Sequence, residues 1–301
     1  MNDNYQEGSN IKDDEHDRRA SHYNDIPNVY PKCTDKFPSP TEFKKILLNS
    51  SNKVRLQRLV KESLKSNVHS FMGEIIYCEP GRATNLTTGA ELDDFVFDQI
   101  EADTMMLTAY SQLRAYDTGD VVIDSEDTDV SVQAAYVSQH VDGNLYMKHK
   151  NELYDCSKFL SQDVAEIIIP FHMMSGYDNT PGFYGHGKKS LLDKVMKDAE
   201  ARDLLSRVGR SIDLKDDVIS DMRKFVLSKI YGENFPTCAQ ARASKWHKLK
   251  KKKTSRLPPD DDTLLQHFKK VNYLAYCQLH FSLEQHPSLI GNGWEIINEP
   301  I

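Results

Sequence analysis

Apolar positions first fall into register after Pro40. Phe43, Ile46 and Leu47, then Val54, Leu56, Leu59, Val60 and Leu64, recur at intervals of three and four, which predicts one or two helices. Glu74-Ile75-Ile76-Tyr77-Cys78, closed by Pro80-Gly81, predicts a short buried strand. A helical stretch through Leu107, Tyr110 and Leu113 runs toward Gly119. Val121-Val122-Ile123 is the clearest strand of the chain, with β-branched types and an acidic loop directly after it. Ala134, Ala135 and Val137 then predict a helix, and Leu145-Tyr146-Met147 a further strand. Strand, helix, strand is the rhythm of a parallel sheet with helices on its faces. Past about residue 155 the strand signals fade. Ile167-Ile168-Ile169 is β-branched, yet it ends at Pro170 in a helical context, and it stays open between strand and helix. The remainder predicts helices over 188–208, 213–231 and 260–285.

Composition sets the frame around these elements. At 301 residues the chain has room for one large domain or two ordinary ones. Apolar residues make up 39% and charged residues 28%, enough for a sizeable core alongside some disorder. The net charge of −7 argues against a generic cationic nucleic-acid glue. No apolar run is long enough for a transmembrane helix. The first residues contain no apolar core of a signal peptide, so the expected location is nuclear or cytoplasmic rather than secreted. Cys33, Cys78, Cys156, Cys238 and Cys277 are scattered, odd in number and form no CxxC pair, which speaks against a zinc site or a disulfide framework. Residues 1–38 are polar, acidic and broken by Pro27, Pro31 and Pro38, and they are expected to be disordered or loosely attached.

Charge distribution changes the picture more than the total does. Residues 91–130 hold twelve acids against Arg114 alone, a net of −11. Residues 182–257 hold nineteen bases and nine acids, a net of +10. Within the acidic block, Glu101-Ala102-Asp103 opens one expected helix, and Asp127-Thr128-Asp129 follows the strand at 121–123 and opens another. Ligands of open α/β sheets collect in the loops after the strands' carboxyl ends. Four carboxylates in adjacent loops of this kind repel one another unless hard cations such as Mg²⁺ or Mn²⁺ neutralise them. Two such ions about 4 Å apart are the usual apparatus for in-line phosphodiester displacement. The plainer reading stands beside it: acids in a first helical turn favour the helix dipole and are mostly solvated. Further on, Gly185-His186-Gly187-Lys188-Lys189 offers backbone N–H groups and lysines at a helix start, which suits phosphate. Taken in isolation, its plainer and preferred reading is a helix–turn–helix corner with solvated lysines. The basic peak is Lys245-Trp246-His247-Lys248-Leu249-Lys250-Lys251-Lys252-Lys253. That peak suits phosphates or nuclear import, or a flexible linker before Pro258-Pro259. His172 and His186, on either side of Asp178, read as ordinary residues.

The ordered set resembles something known. Glu-x-Asp, then Asp-x-Asp after a buried strand, then Gly-x-Asp ahead of Gly-x-Gly-Lys, is similar to the C-terminal half of the flap-endonuclease (XPG-like) branch of PIN-like nucleases. The intervals are similar too, 24 residues from Asp103 to Asp127 and 49 from Asp129 to Asp178. The wording is closer still to a multi-copy animal family with Glu-Ala-Asp-Thr, Asp-Thr-Asp-Val and Gly-Cys-Asp-Thr-Thr motifs. Here these stand as Glu101-Ala102-Asp103-Thr104, Asp127-Thr128-Asp129-Val130 and Gly176-Tyr177-Asp178-Asn179-Thr180. Leu257-Pro258-Pro259, His267 and Gly293-Trp294-Glu295 also resemble that family's tail, so the likeness covers roughly residues 40–300.

The resemblance implies a PIN-like α/β domain over 39–187 with a helical portion over 188–301, in which the charge run supplies a basic linker at 245–257. Glu101, Asp103, Asp127, Asp129 and Asp178 would hold Mg²⁺ or Mn²⁺, with Asp103, Asp127 and Asp129 closest to the chemistry. Gly185, Gly187, Lys188 and Lys189 would clasp a DNA (or RNA) backbone, with no membrane involved. Flap-type nucleases add aspartates from an N-terminal strand. Residues 1–70 show no buried strand ending in Asp, so that half of the domain is expected to be missing. Two functions follow: metal-dependent hydrolysis of DNA phosphodiesters, or an inactive nucleic-acid-binding or scaffold protein on the same fold. An aspartate-nucleophile phosphatase does not fit, because Asp124-Ser125-Glu126 separate strand and motif, and an EF-hand lacks its third ligand and turn glycine.

Overall fold

The computed structural model describes residues 28–32, 35–79, 81–93, 95, 102–115, 118–250, 254–282 and 286–294. They form a mixed α/β protein with two small sheets and eleven α-helices among the described residues. No helix there is long and apolar enough to cross a membrane. The chain divides into two compact units, Met1–Gln112 and Leu113–Ile301.

In the first unit, Ser39 caps α1 (Pro40–Ile46) through a reciprocal bond with Glu42, and Pro40 occupies the first turn, where its missing N–H costs nothing. Asn49 caps α2 (Ser50–Ser66). Asn52 is 1% exposed; its side-chain carbonyl accepts from Val29 N and its amide donates to the Ile46 carbonyl. The Arg55 guanidinium lies 4.0 Å over the Tyr30 ring. The stretch around Val29 and Tyr30 is thus fastened to α2; residues 1–27, most of the segment expected to be disordered, lie outside the described residues. β1 (Ile76–Glu79) and β2 (Arg82–Asn85) make an antiparallel hairpin, with Cys78 and Ala83 packed against Met105 and Ala109 of α3 (Ala102–Leu113).

The second unit carries the strand–helix–strand pattern. β3 (Val121–Asp124) pairs in parallel with β4 (Leu145–His149), and α4 (Thr128–Val137) connects them. β5 (Glu152–Asp155) then adds antiparallel to β4. The parallel character expected of the sheet is confined, among the described residues, to this one strand pair. Ile123, Leu145 and Met147 form its buried side.

After α5 (Gln162–Ala165), the open Ile167–Ile169 run resolves as the start of a helix, α6 (Ile168–Ser175), whose eight residues are all buried. A helix that is apolar on every side belongs in a core. α4, α5, α7 (Lys188–Met196), α8 (Ala199–Arg207) and α11 (Asp261–Leu279) all pack against it. The stretch 213–231 becomes α9 (Asp216–Phe225) running into a π-helical turn at Val226–Ile230. The expected boundary at 187/188 falls inside this unit.

The basic peak begins on a helix rather than a linker. α10 (Cys238–Lys248) carries Lys245, which donates to the Tyr231 carbonyl, and Lys248, which pairs with the buried Glu233 carboxylate. Residues 251–253 lie outside the described residues.

Candidate functional site

β3 ends at Asp124, whose carboxylate meets Lys148 of β4 at 2.6 Å across the strand pair. Ser125 Oγ accepts from Asp127 N at 3.2 Å, and Asp127 caps α4, its Oδ1 accepting from Asp129 N at 2.9 Å. Aspartate suits this position because its oxygen satisfies an otherwise unpaired N–H at the helix start, where the dipole also favours negative charge. The cap places Asp129 in the first turn, facing α6. There Asp129 Oδ1 accepts from His172 Nε2 at 2.9 Å.

His172 is the one ionisable side chain on α6, 6% exposed, and its ring meets the edge of Tyr177 at 5.7 Å. Its other nitrogen, Nδ1, lies 3.1 Å from Lys188 Nζ. An ammonium only donates, so Nδ1 accepts and the ring proton sits on Nε2, pointing at Asp129. The result is a chain from Lys188 through the imidazole of His172 to Asp129. The bond from His172 holds the Asp129 carboxyl below the usual range, against burial and with help from the Lys188 charge. Lys188 is pushed down by desolvation, opposed by the charges of Asp129 and Asp178.

Asp178 stands exposed on a tight turn closed by reciprocal backbone bonds between Tyr177 and Thr180. Thr180 Oγ1 donates to the Met173 carbonyl at 2.6 Å and ties the turn to α6. The chain crosses itself here: Gly176 has φ +122°, and a Cβ on Gly182 would lie 2.9 Å from the Ser175 carbonyl oxygen. Phe183 is buried edge-on to the rings of Tyr231 and His267 and anchors the loop that follows. Gly185 (φ +83°) and Gly187 then lead into α7. Gly187 is the cap residue, no side chain caps the helix, and Lys188 and Lys189 stand in its acid-free first turn.

Of the residues singled out from sequence, Asp127, Asp129 and Lys188 thus form one bonded set, and Asp178 is near enough to act on Lys188. Asp103 lies in the first turn of α3, in the first unit. Glu101 lies outside the described residues. His172 was read as ordinary, and it proves to be the link. One signal pointed to it: an ionisable residue in a stretch otherwise almost wholly apolar needs a partner once that stretch is buried. The partners, 43 residues before and 16 after, are not readable from spacing.

The donor set is hard oxygen, which suits Mg²⁺ or Mn²⁺. Asp127 and Asp129 each spend one carboxylate oxygen on the bonds above, leaving the other without a protein partner among the described residues. No group of three His, Cys, Asp or Glu side chains closes on a common metal position among the described residues. Mg²⁺ is commonly held by one or two carboxylates, with waters and substrate phosphate completing its shell. Compared with family models, curated proteins and solved structures, the chain matches none.

Proposed function

We propose that the second unit binds the phosphate backbone of a nucleic acid and, with Mg²⁺ or Mn²⁺, hydrolyses its phosphodiester bonds, on a fold of PIN-like, flap-endonuclease type. The observation that carries this reading is the Lys188–His172–Asp129 chain, which joins the Asp-x-Asp loop after β3 to the Gly-x-Gly-Lys turn before α7. An acidic loop that suits a cation beside a basic helix start that suits phosphate is the pairing phosphoryl chemistry uses. Asp127, Asp129 and Asp178 are the proposed cation ligands in this unit. Gly185, Gly187, Lys188 and Lys189 are the proposed backbone clasp. The bound cation would supply Lewis acidity at the phosphate; the chain's own residues fix the carboxylates and hold the strand.

The test is incubation of branched and single-stranded DNA, and of RNA, with Mn²⁺, using the wild type beside Asp127→Asn and Asp129→Asn. Cleavage by the wild type that both variants lose is the expected result. Binding without cleavage would favour an inactive nucleic-acid-binding or scaffold protein, and no binding at low salt would overturn both.

A further inference from the structure

Resting on that reading, we propose that His172 is a positioning residue, a spacer that keeps Asp129 and Lys188 apart, so that cation and phosphate bind as a coupled pair. Asp129 and Lys188 carry opposite charges at the starts of two helices that both pack on α6. A direct ion pair between two such groups would occupy each of them with the other. Here no direct ion pair forms between them among the described residues; the ring stands between, engaged by one nitrogen on each side. Its position is fixed by burial on all sides of α6. The lysine is a flexible four-carbon stem with a point charge at its end, and the bond to Nδ1 settles its direction before a ligand arrives. Asp129 is settled in the same way, with Oδ1 committed to the ring and its second oxygen left for a cation. A ligand that bridges the two, a phosphate on Lys188 touching a cation on Asp129, then gains from both settings at once.

The test uses the full chain and two readouts. The first is the tautomer of His172, read by ¹⁵N-detected NMR of the imidazole without metal or nucleic acid. The Nε2–H form is expected, retained in Asp129→Asn, whose amide oxygen still accepts from Nε2, and shifting in Lys188→Met; an Nδ1–H form overturns the spacer. The second is the factor by which Mn²⁺ tightens binding of a single-stranded DNA probe, measured for wild type, His172→Gln and His172→Phe. Gln presents an amide donor and a carbonyl acceptor at nearly the same spacing and should keep the factor within a few-fold. Phe fills the space without either bond and should bring the factor close to one. Should the Phe variant fail to fold, the Gln variant decides, and a folded Gln variant without coupling overturns the role. Wild type that binds neither Mn²⁺ nor DNA overturns the proposed function and this role with it. Binding of both, with coupling unchanged in a folded Phe variant, overturns the role alone.

Discussion

Lys248 Nζ donates to both carboxylate oxygens of Glu233 at 2.9 Å, and Glu233 is 1% exposed while the lysine side chain is 59% exposed. The pair pins the end of α10 over a buried carboxylate, so the two ends are not equivalent. Lys248→Met leaves the charge of Glu233 without its partner, which should cost about 2–3 kcal/mol. Glu233→Gln removes the buried charge while leaving an amide that still accepts from the lysine, and should cost less. Urea unfolding of both variants checks the order; equal losses would mean that the carboxylate is reached by water.

His267 supplies a pH signature. It is buried, and desolvation, only partly opposed by the Met174 backbone, pushes its pKa down to about 4. The unfolded chain therefore takes up the proton first, near the ordinary 6.5, and the folded state only around 4. Stability is full above about pH 6.5 and falls as pH drops toward 4, by about 3 kcal/mol from this residue. His267→Leu should flatten that slope and raise the melting temperature at pH 5. Melting curves between pH 4 and 7 decide it.

Asn substitutions at Asp127 and Asp129 separate charge from structure. Asn caps helices as well as Asp does, and Asn at 129 still accepts from His172 Nε2, so α4 and the bond to α6 should survive with less than about 1 kcal/mol lost. A native-state ligand raises the melting temperature in proportion to its binding. Mn²⁺ should raise it for the wild type and leave the double variant unchanged. A shift that persists would put the ion elsewhere.

The lysines of the α7 start should act on all sequences alike. Phosphate contacts position a nucleic acid without reading it, and each one lost lowers the slope of log affinity against log salt by about 1. Lys188→Ala and Lys189→Ala should each weaken binding of unrelated probes to a similar degree. A sequence-dependent loss, or an unchanged slope, would remove them from the backbone contact.

Legibility in the sequence followed how local each cause was. β3, α4 and β4 were readable because short apolar runs, β-branching and an acidic helix start all act within a few residues, and the Asp127 cap lies where Asp-x-Asp opens a helix. Ile167–Ile169 stayed ambiguous because a helix buried on every side has no polar face and hence no period. Lys245 and Lys248 read as solvated linker because the groups that hold them, the Tyr231 carbonyl and the Glu233 carboxylate, are 14 and 15 residues away and only folding brings them near. The motif residues of the candidate site were visible as types, but the ring joining them was not.

The all-round burial of α6 also bears on how the second unit opens. Its amides reach solvent only when the helices around it come away, so their hydrogen exchange should track global unfolding rather than local fraying. Asp178 and Lys188, at the loop and helix start that follow, belong to the surface regime of faster opening. The His172 ring thus joins the buried layer of the unit to its surface, and a ligand drawn to the rim would register as protection deep in the interior.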